Sequence, residues 1–183
     1  MSDDTDLREE VTGSRWGFEG KLVRVRVDEV RLPNGRETVR EVVDHPGAVA
    51  IVPLHSDGTI TFVRQWRQAA EKVLLELPAG TLEAGEDPAD CARREMAEEV
   101  GLECRDLRHL FSSFLAPGYS SELLHTFLAT GLTEVPSQLE WDEALEPLRL
   151  PLAEAQRMVL EGELQDAKTI CGILLAERYW RGD

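Results

Sequence analysis

The sequence predicts an α+β domain, and three observations predict it. Short runs rich in β-branched residues, separated by turn dipeptides, fill the first two thirds of the chain and read as strands. Stretches with apolar residues at helical spacing follow Pro88 and occupy the C-terminal part. The two kinds of segment mix without alternating as regular βαβ units. With 183 residues the chain is long enough for one domain of ordinary size with a substantial core, plus a short extension.

Taken in order, residues 1–14 read as an acidic, flexible tail, because Met1 to Glu10 is acidic and lacks an apolar h-region. Residues 15–45 read as an antiparallel β-ribbon. Its strands, Leu22 to Leu32 and Thr38 to Asp44, are joined by Pro33-Asn34-Gly35-Arg36, where Asn-Gly supplies the positive φ of a tight hairpin. Residues 46–183 form the main domain. Gly47 to Leu54 and Thr59 to Trp66 pair around an Asp57-Gly58 turn, and Val73 to Leu77 is a further short strand. A helix starts at Pro88, which suits a first turn, runs through Glu99 and stops at Gly101. Leu107 to Leu115 and Leu123 to Thr130 are strands; Leu152 to Leu160 and Ala167 to Trp180 are helices. Pro147 has no amide donor, so its segment must be an edge strand or a bulge.

Composition excludes several partner classes. The 20 basic residues face 35 acidic ones, and the formal charge of −15 opposes nucleic acids and anionic membranes. An anionic ligand would therefore need local compensation, which makes arginine positions informative. Cys91, Cys104 and Cys171 are odd in number and widely spaced, so neither a disulfide framework nor a zinc site is expected, and a reducing, cytoplasmic setting fits. No apolar stretch approaches a membrane span.

The most informative run lies between Gly80 and Leu102. It comprises Gly80, five free positions, Glu86, seven free positions, then Arg94-Glu95-Met96-Ala97-Glu98-Glu99-Val100-Gly101-Leu102. Helical spacing puts Glu95 beside both Glu98 and Glu99, so their carboxylates are expected to converge. Like charges gathered in this way call for a cation, and a donor set of hard oxygens without histidine or cysteine suits Mg²⁺ or Mn²⁺ better than zinc. Arg94 can reach Glu98 one turn on and Glu86 in the preceding loop, so Glu86 and Arg94 read as architecture. A solvated, salt-bridged helix face explains any pair of these residues, but the full pattern should arise by chance at roughly one in a hundred million positions.

The run matches the Nudix box without a departure, and the chain resembles the Nudix hydrolases. The resemblance implies a mixed sheet sandwiched between helices and cleavage of a nucleoside diphosphate linked to another group. Leu115-Ala116-Pro117-Gly118-Tyr119-Ser120-Ser121-Glu122 is similar to a loop of the ADP-ribose pyrophosphatases. Phe62 to Arg67, Leu75 to Gly80 and Asp166 to Thr169 also look alike. On that resemblance Glu95 and Glu99 would ligate two to three Mg²⁺ or Mn²⁺ ions together with the Ala79 carbonyl, with Glu98 in or next to the coordination sphere. Arg67 would hold a phosphate. Arg40 in the ribbon would contact the nucleotide, from its own or the partner subunit. Gly80, the Pro117-Gly118 turn and Glu122 would line the substrate, glycine allowing close approach of the backbone.

The acidic stretch Gln138 to Glu143 falls where these enzymes place a loop whose glutamate activates water. Glu143 is the first candidate and Glu140 the reserve. The implied reaction converts ADP-ribose to AMP and ribose 5-phosphate, in a homodimer. Competing readings are a GDP-sugar or dinucleoside polyphosphate substrate, the latter suggested by Tyr119, and a non-catalytic sensor of ADP-ribose. Intact Glu95, Glu98 and Glu99 argue against the sensor. Trp16 and Phe18 could stack on adenine, although such aromatics more often pack in a core or interface. His45, His55, His109 and His125 are scattered singly and receive no role.

Overall fold

The computed structural model describes residues 7–21, 23–139 and 144–180. Chain contacts separate two compact units, one reaching to Pro46 and including Phe114–Leu123, the other comprising Gly47–Ser113 and the chain from Leu124 onward.

The first unit is an antiparallel sheet of β1 (Glu10–Glu19), β2 (Arg24–Arg31) and β3 (Glu37–Asp44) in the order β1-β2-β3. The ribbon thus begins at Glu10, and residues 10–14, expected in the flexible tail, are strand. Gly13 hid this strand from a pattern reading. It lies at a register shift between Val11 and Gly13, after which the Ser14 hydroxyl donates to buried Asp28 at 2.7 Å. Arg26 adds a second donor to that carboxylate at 2.8 Å, and Ser14 and Arg26 together hold Asp28 below the usual carboxylate range against the opposing effect of burial. The β2–β3 turn is the expected one, with Gly35 at φ 80°. Residues 114–123 join this unit through Val43, whose amide donates to the Tyr119 carbonyl at 2.7 Å and whose carbonyl accepts from Ser121 at 3.0 Å.

The second unit holds two sheets. One is mixed, with order β7 (Ala79–Thr81), β4 (Ala48–Pro53), β9 (Leu123–Glu134) and β8 (Leu102–Phe114); β4 runs antiparallel to β7 and parallel to β9. The other is antiparallel, with order β10 (Leu145–Pro151), β5 (Thr59–Arg67) and β6 (Lys72–Glu76). Every residue of β4 is buried, as an unbroken apolar run requires when both faces are covered. Val49 and Ile51 pack with Cys91, Ala92 and Met96 of helix α1 (Pro88–Val100). Val52 packs in the other core cluster, with Leu152 and Ala155 of α2 (Leu152–Leu160) and Ile173 and Ala176 of α3 (Ala167–Trp180). The sheet therefore lies between helices, as expected. Pro147 faces Val63 from β10, which is an edge strand, so its missing amide donor is harmless. Strand β7 escaped the sequence reading because Ala-Gly-Thr has little β-propensity of its own; pairing with β4 makes it a strand.

Helix α1 ends where glycine is needed. Gly101 adopts φ 62° and ψ 41°, and its amide bonds the Ala97 carbonyl at 3.1 Å. A Cβ at Gly101 would stand 2.7 Å from the Val135 carbonyl oxygen. Gly101→Ala is expected to destabilise the fold by about 1–2 kcal/mol from the left-handed conformation alone, with the Val135 clash adding to it. Urea unfolding measures this, and an unchanged midpoint would show that the cap is not a constraint.

Candidate active site

The box is a loop and a helix held in one geometry. Asp87 caps α1 by accepting the Ala89 amide at 2.8 Å, and Pro88 fills the first turn, where no amide donor is required. Cys91, Ala92 and Met96 turn into the core and fix the rotation of the helix. The same rotation turns Glu95 and Glu99 toward β7 at the border of that core, with Glu99 itself buried, and leaves Glu98 more open to solvent.

Arg94 organises the acids. Its Nε and Nη2 donate to the two Glu86 oxygens at 2.9 and 3.0 Å, while its Nη1 donates to Glu95 at 2.8 Å and to Glu98 at 3.1 Å. The planar guanidinium makes this fork possible, and an ammonium could not reproduce it. The Arg94 fork, aided by the Glu83 amide, holds the Glu86 carboxyl down at about 2. Glu99, buried, accepts the Ala79 amide at 3.0 Å. Gly80 is what lets Glu95 lie against β7, since a Cβ there would stand 1.8 Å from the Glu95 carboxyl carbon. The requirement at position 80 is thus space for a carboxylate.

The expectation that the three acids converge is met only in part. They share a helix face, but among the described residues no three acidic, histidine or cysteine side chains form a ready cation cage. Like charges repel at short range, so each acid takes a donor: Glu95 and Glu98 share Arg94, and Glu99 takes Ala79. The donor set still fits a hard divalent cation, being all oxygen and lying beside the β7 backbone.

A second charged cluster adjoins Glu99. Glu76, at the end of β6, is 1% exposed. Arg67 grips its two oxygens at 2.7 and 2.8 Å, and Lys168 from the start of α3 bonds it as well. Lys168 also pairs with Asp166 at 3.0 Å. Asp166 takes the Thr169 amide at 3.1 Å, and the Thr169 oxygen accepts the Leu77 amide at 2.8 Å. Glu76 remains below the ordinary carboxylate range although burial opposes it, because Arg67 and Lys168 favour its charged form. Removing one partner of such a buried pair costs about 3–5 kcal/mol.

Sequence reasoning placed Glu76 and Lys168 in stretches of family likeness without giving either a role. A carboxylate ending the apolar run Val73-Leu74-Leu75 was the available signal, since a buried acid needs a cation. Arg67, expected at a phosphate, is committed on one edge to Glu76 and keeps 42% of its side chain exposed.

The remaining candidates lie elsewhere in the chain. Arg40, in the first unit, donates to Glu9 at 2.6 Å and to the Val39 carbonyl at 3.2 Å. Pro117 and Gly118 sit in a turn closed by the Tyr119 amide on the Ala116 carbonyl at 3.0 Å, and the Glu122 amide bonds the Ser120 hydroxyl at 3.2 Å. Glu140 and Glu143 fall outside the described residues. Trp16 is covered by the Arg24 guanidinium at 4.0 Å, and Phe18 is exposed. His109 and His125, scattered in sequence, share the Ser112 hydroxyl at 2.9 and 2.8 Å. Burial, then the Glu86 carboxylate, pushes the Cys91 thiol up to about 12, which makes it an inert core group.

Residues 44–171 match the NUDIX domain. This chain belongs to the Nudix hydrolases. Residues 9–43 of the hydrolase match the nucleoside diphosphate sugar hydrolase N-terminal domain. It is 43% identical over 166 residues to an ADP-ribose pyrophosphatase of Mycobacterium tuberculosis (strain ATCC 25618 / H37Rv), covering 89% of this chain and 80% of the relative. It is 38% identical over 169 residues to the ADP-ribose pyrophosphatase of Bacillus subtilis (strain 168), covering 91% of each chain. A methanol dehydrogenase activator of Bacillus methanolicus is 40% identical over 158 residues, covering 85% of each chain. A crystal structure of an ADP compounds hydrolase has the same fold, with a TM-score of 0.84 at 24% identity over 96% of this chain and 95% of that one. The hydrolase is therefore a Nudix pyrophosphohydrolase, and no helix among its described residues is long and apolar enough to cross a membrane.

Two outcomes follow from the geometry. Gly80→Ala is expected to lower turnover by about 10²-fold by displacing Glu95, since an ångström of misplacement has that effect. Circular dichroism should show an intact fold, and normal turnover would mean that the Glu95 position is not set by Gly80. Glu86 has a folded value of about 2 against an unfolded 4.5, so its pairing stabilises the fold fully above pH 4.5 and is lost as pH falls toward 2. The difference in unfolding midpoint between wild type and Glu86→Gln should be constant from about pH 6 to 8 and shrink below about pH 4; a difference independent of pH would exclude the ion pair as its source.

Proposed function

We propose that the enzyme hydrolyses the diphosphate bond of ADP-ribose and related ADP-sugars to AMP and a sugar phosphate, with Mg²⁺ or Mn²⁺ as cofactor. The observation that carries this reading is the single helix face that presents Glu95, Glu98 and Glu99 beside Ala79 and Gly80. The two ADP-ribose pyrophosphatase relatives direct the choice of nucleotide sugar.

Glu95, Glu99 and the Ala79 carbonyl would hold two to three ions, with Glu98 beside them. Cations bound there would neutralise diphosphate charge and acidify a water. The chain's own residues do the rest. Arg94 sets the starting positions of Glu95 and Glu98. Arg67, its guanidinium already fixed on one edge, offers its remaining donors to a phosphate. Arg40, Pro117, Gly118 and Glu122 would bind the nucleoside and ribose parts, and Glu143, with Glu140 in reserve, would take the proton from the attacking water. Val11, Phe18 and Val39 leave apolar surface exposed on the ribbon, which supports association of two subunits. The unpaired thiols of Cys91, Cys104 and Cys171 support a cytoplasmic setting.

The relative named as an activator of methanol dehydrogenase gives weight to a second reading, in which turnover or binding serves to control a partner protein. Release of AMP from ADP-ribose by catalytic amounts of enzyme separates hydrolysis from pure sensing. Glu95→Gln and Glu99→Gln should each lower Mg²⁺-dependent turnover by about 10²-fold or more while the fold stays intact. Near-normal rates in both variants, or products other than AMP and a sugar phosphate, would overturn the proposal.

A further inference from the structure

The Glu76 cluster spans more structure than a staple between α3 and β6 needs. Glu76 is buried, both its oxygens lie in the Arg67 fork, and Lys168, with a side chain only 9% exposed, closes the cluster from α3. Within four consecutive residues the chain then carries three anchors. Glu76 fixes Arg67, the Leu77 amide is fixed by Thr169, and the Ala79 amide fixes Glu99. The same short segment thus sets an arginine and an acid of the box.

We propose that Glu76 is a positioning residue for substrate binding: it holds Arg67 with its outer edge ready for a phosphate, and Lys168 balances the buried charge. This inference rests on the reading of Arg67 as a phosphate contact.

Three physical points support it. An arginine side chain is rotamer-rich, and immobilising it during binding weakens affinity unless it is fixed beforehand. Glu76 does so with a two-point fork that leaves Nη1 outside it. Glu99 also favours the charged form of Arg67, so the guanidinium feels a second anion besides Glu76. The two-point partner at Glu76 fixes the guanidinium on its own strand pair, while Glu99 takes the Ala79 amide. Finally, Arg67 and Lys168 together balance Glu76 and Asp166, so the cluster is neutral as a group and tolerates its burial.

The test compares Arg67→Ala, Glu76→Gln, Lys168→Met and the combinations Glu76→Gln/Lys168→Met and Arg67→Ala/Glu76→Gln. Two readouts are taken: KM and kcat for ADP-ribose in saturating Mg²⁺, and the calorimetric Kd for ADP with Mg²⁺, which needs no turnover. Glu76→Gln should raise both KM and Kd by roughly three- to tenfold with a smaller change in kcat, the range expected when a pre-fixed side chain becomes mobile. It should add nothing further when Arg67 is already alanine. Lys168→Met, which leaves the Arg67 fork in place, should lower the melting temperature without moving KM. Glu76→Gln/Lys168→Met removes the buried anion and cation together, and keeps the test alive if Glu76→Gln alone does not fold. Wild-type KM and Kd in that double variant, or an equal KM rise in Lys168→Met, would reduce Glu76 to a structural staple and overturn the inference. Unchanged Kd and KM in Arg67→Ala would instead remove Arg67 from the phosphate site, and the inference with it.

Discussion

One guanidinium carries the arrangement of this site. Arg94 touches Glu86 in the loop and Glu95 and Glu98 on the helix, so a cluster of like charges that would otherwise push apart is held in register. The arrangement is conditional: the charge that gathers the acids is one that a divalent cation can replace. A chain with a net charge of −15 needs local positive charge wherever it takes a diphosphate, from bound cations and from arginines.

Around that fork, the fold supplies rigidity from apolar packing. Val49 and Ile51 of β4 meet the core side of α1, and Val52 meets the cluster that α2 and α3 complete. Because both faces of β4 are covered, β7 at its edge is a fixed platform on which Ala79 and Gly80 set the acids. Polar positioning and apolar burial thus meet on one helix: Cys91, Ala92 and Met96 determine its rotation, and Glu95 and Glu99 sit at the border of that core, turned toward β7. Glu76 and its partners repeat the device on the neighbouring sheet, with Arg67 as the cation and α3 as the support.

Much of this was legible in the residues themselves. Helical spacing placed Glu95, Glu98 and Glu99 on one face, Gly101 marked the end of the helix, and the missing amide of Pro147 marked an edge strand or a bulge, of which the fold shows the edge. Other features were hidden because they depend on contacts distant in sequence. Strand β7 exists through its pairing with β4, and β1 extends across a bulge at Gly13 that reads as a break. The first unit recruits residues 114–123 through bonds to Val43, which no local pattern encodes. Gly80 shows the same limit: sequence likeness put it next to substrate, and only the folded chain shows the gap it leaves for Glu95. Lys168 lies 92 positions from Glu76, so only the folded chain reveals that they pair.

The most direct test of the account is a crystal structure with Mn²⁺ and an ADP-ribose analogue whose bridging oxygen is replaced by methylene, read by anomalous scattering. The account predicts ions within ordinary coordination distance, about 2.0–2.6 Å, of Glu95, Glu99 and the Ala79 carbonyl. It also predicts that Arg94 retains Glu86 while giving up at least one helix acid. Anomalous peaks elsewhere on the protein, with the Arg94 fork unchanged and these acids still turned to their present donors, would contradict it.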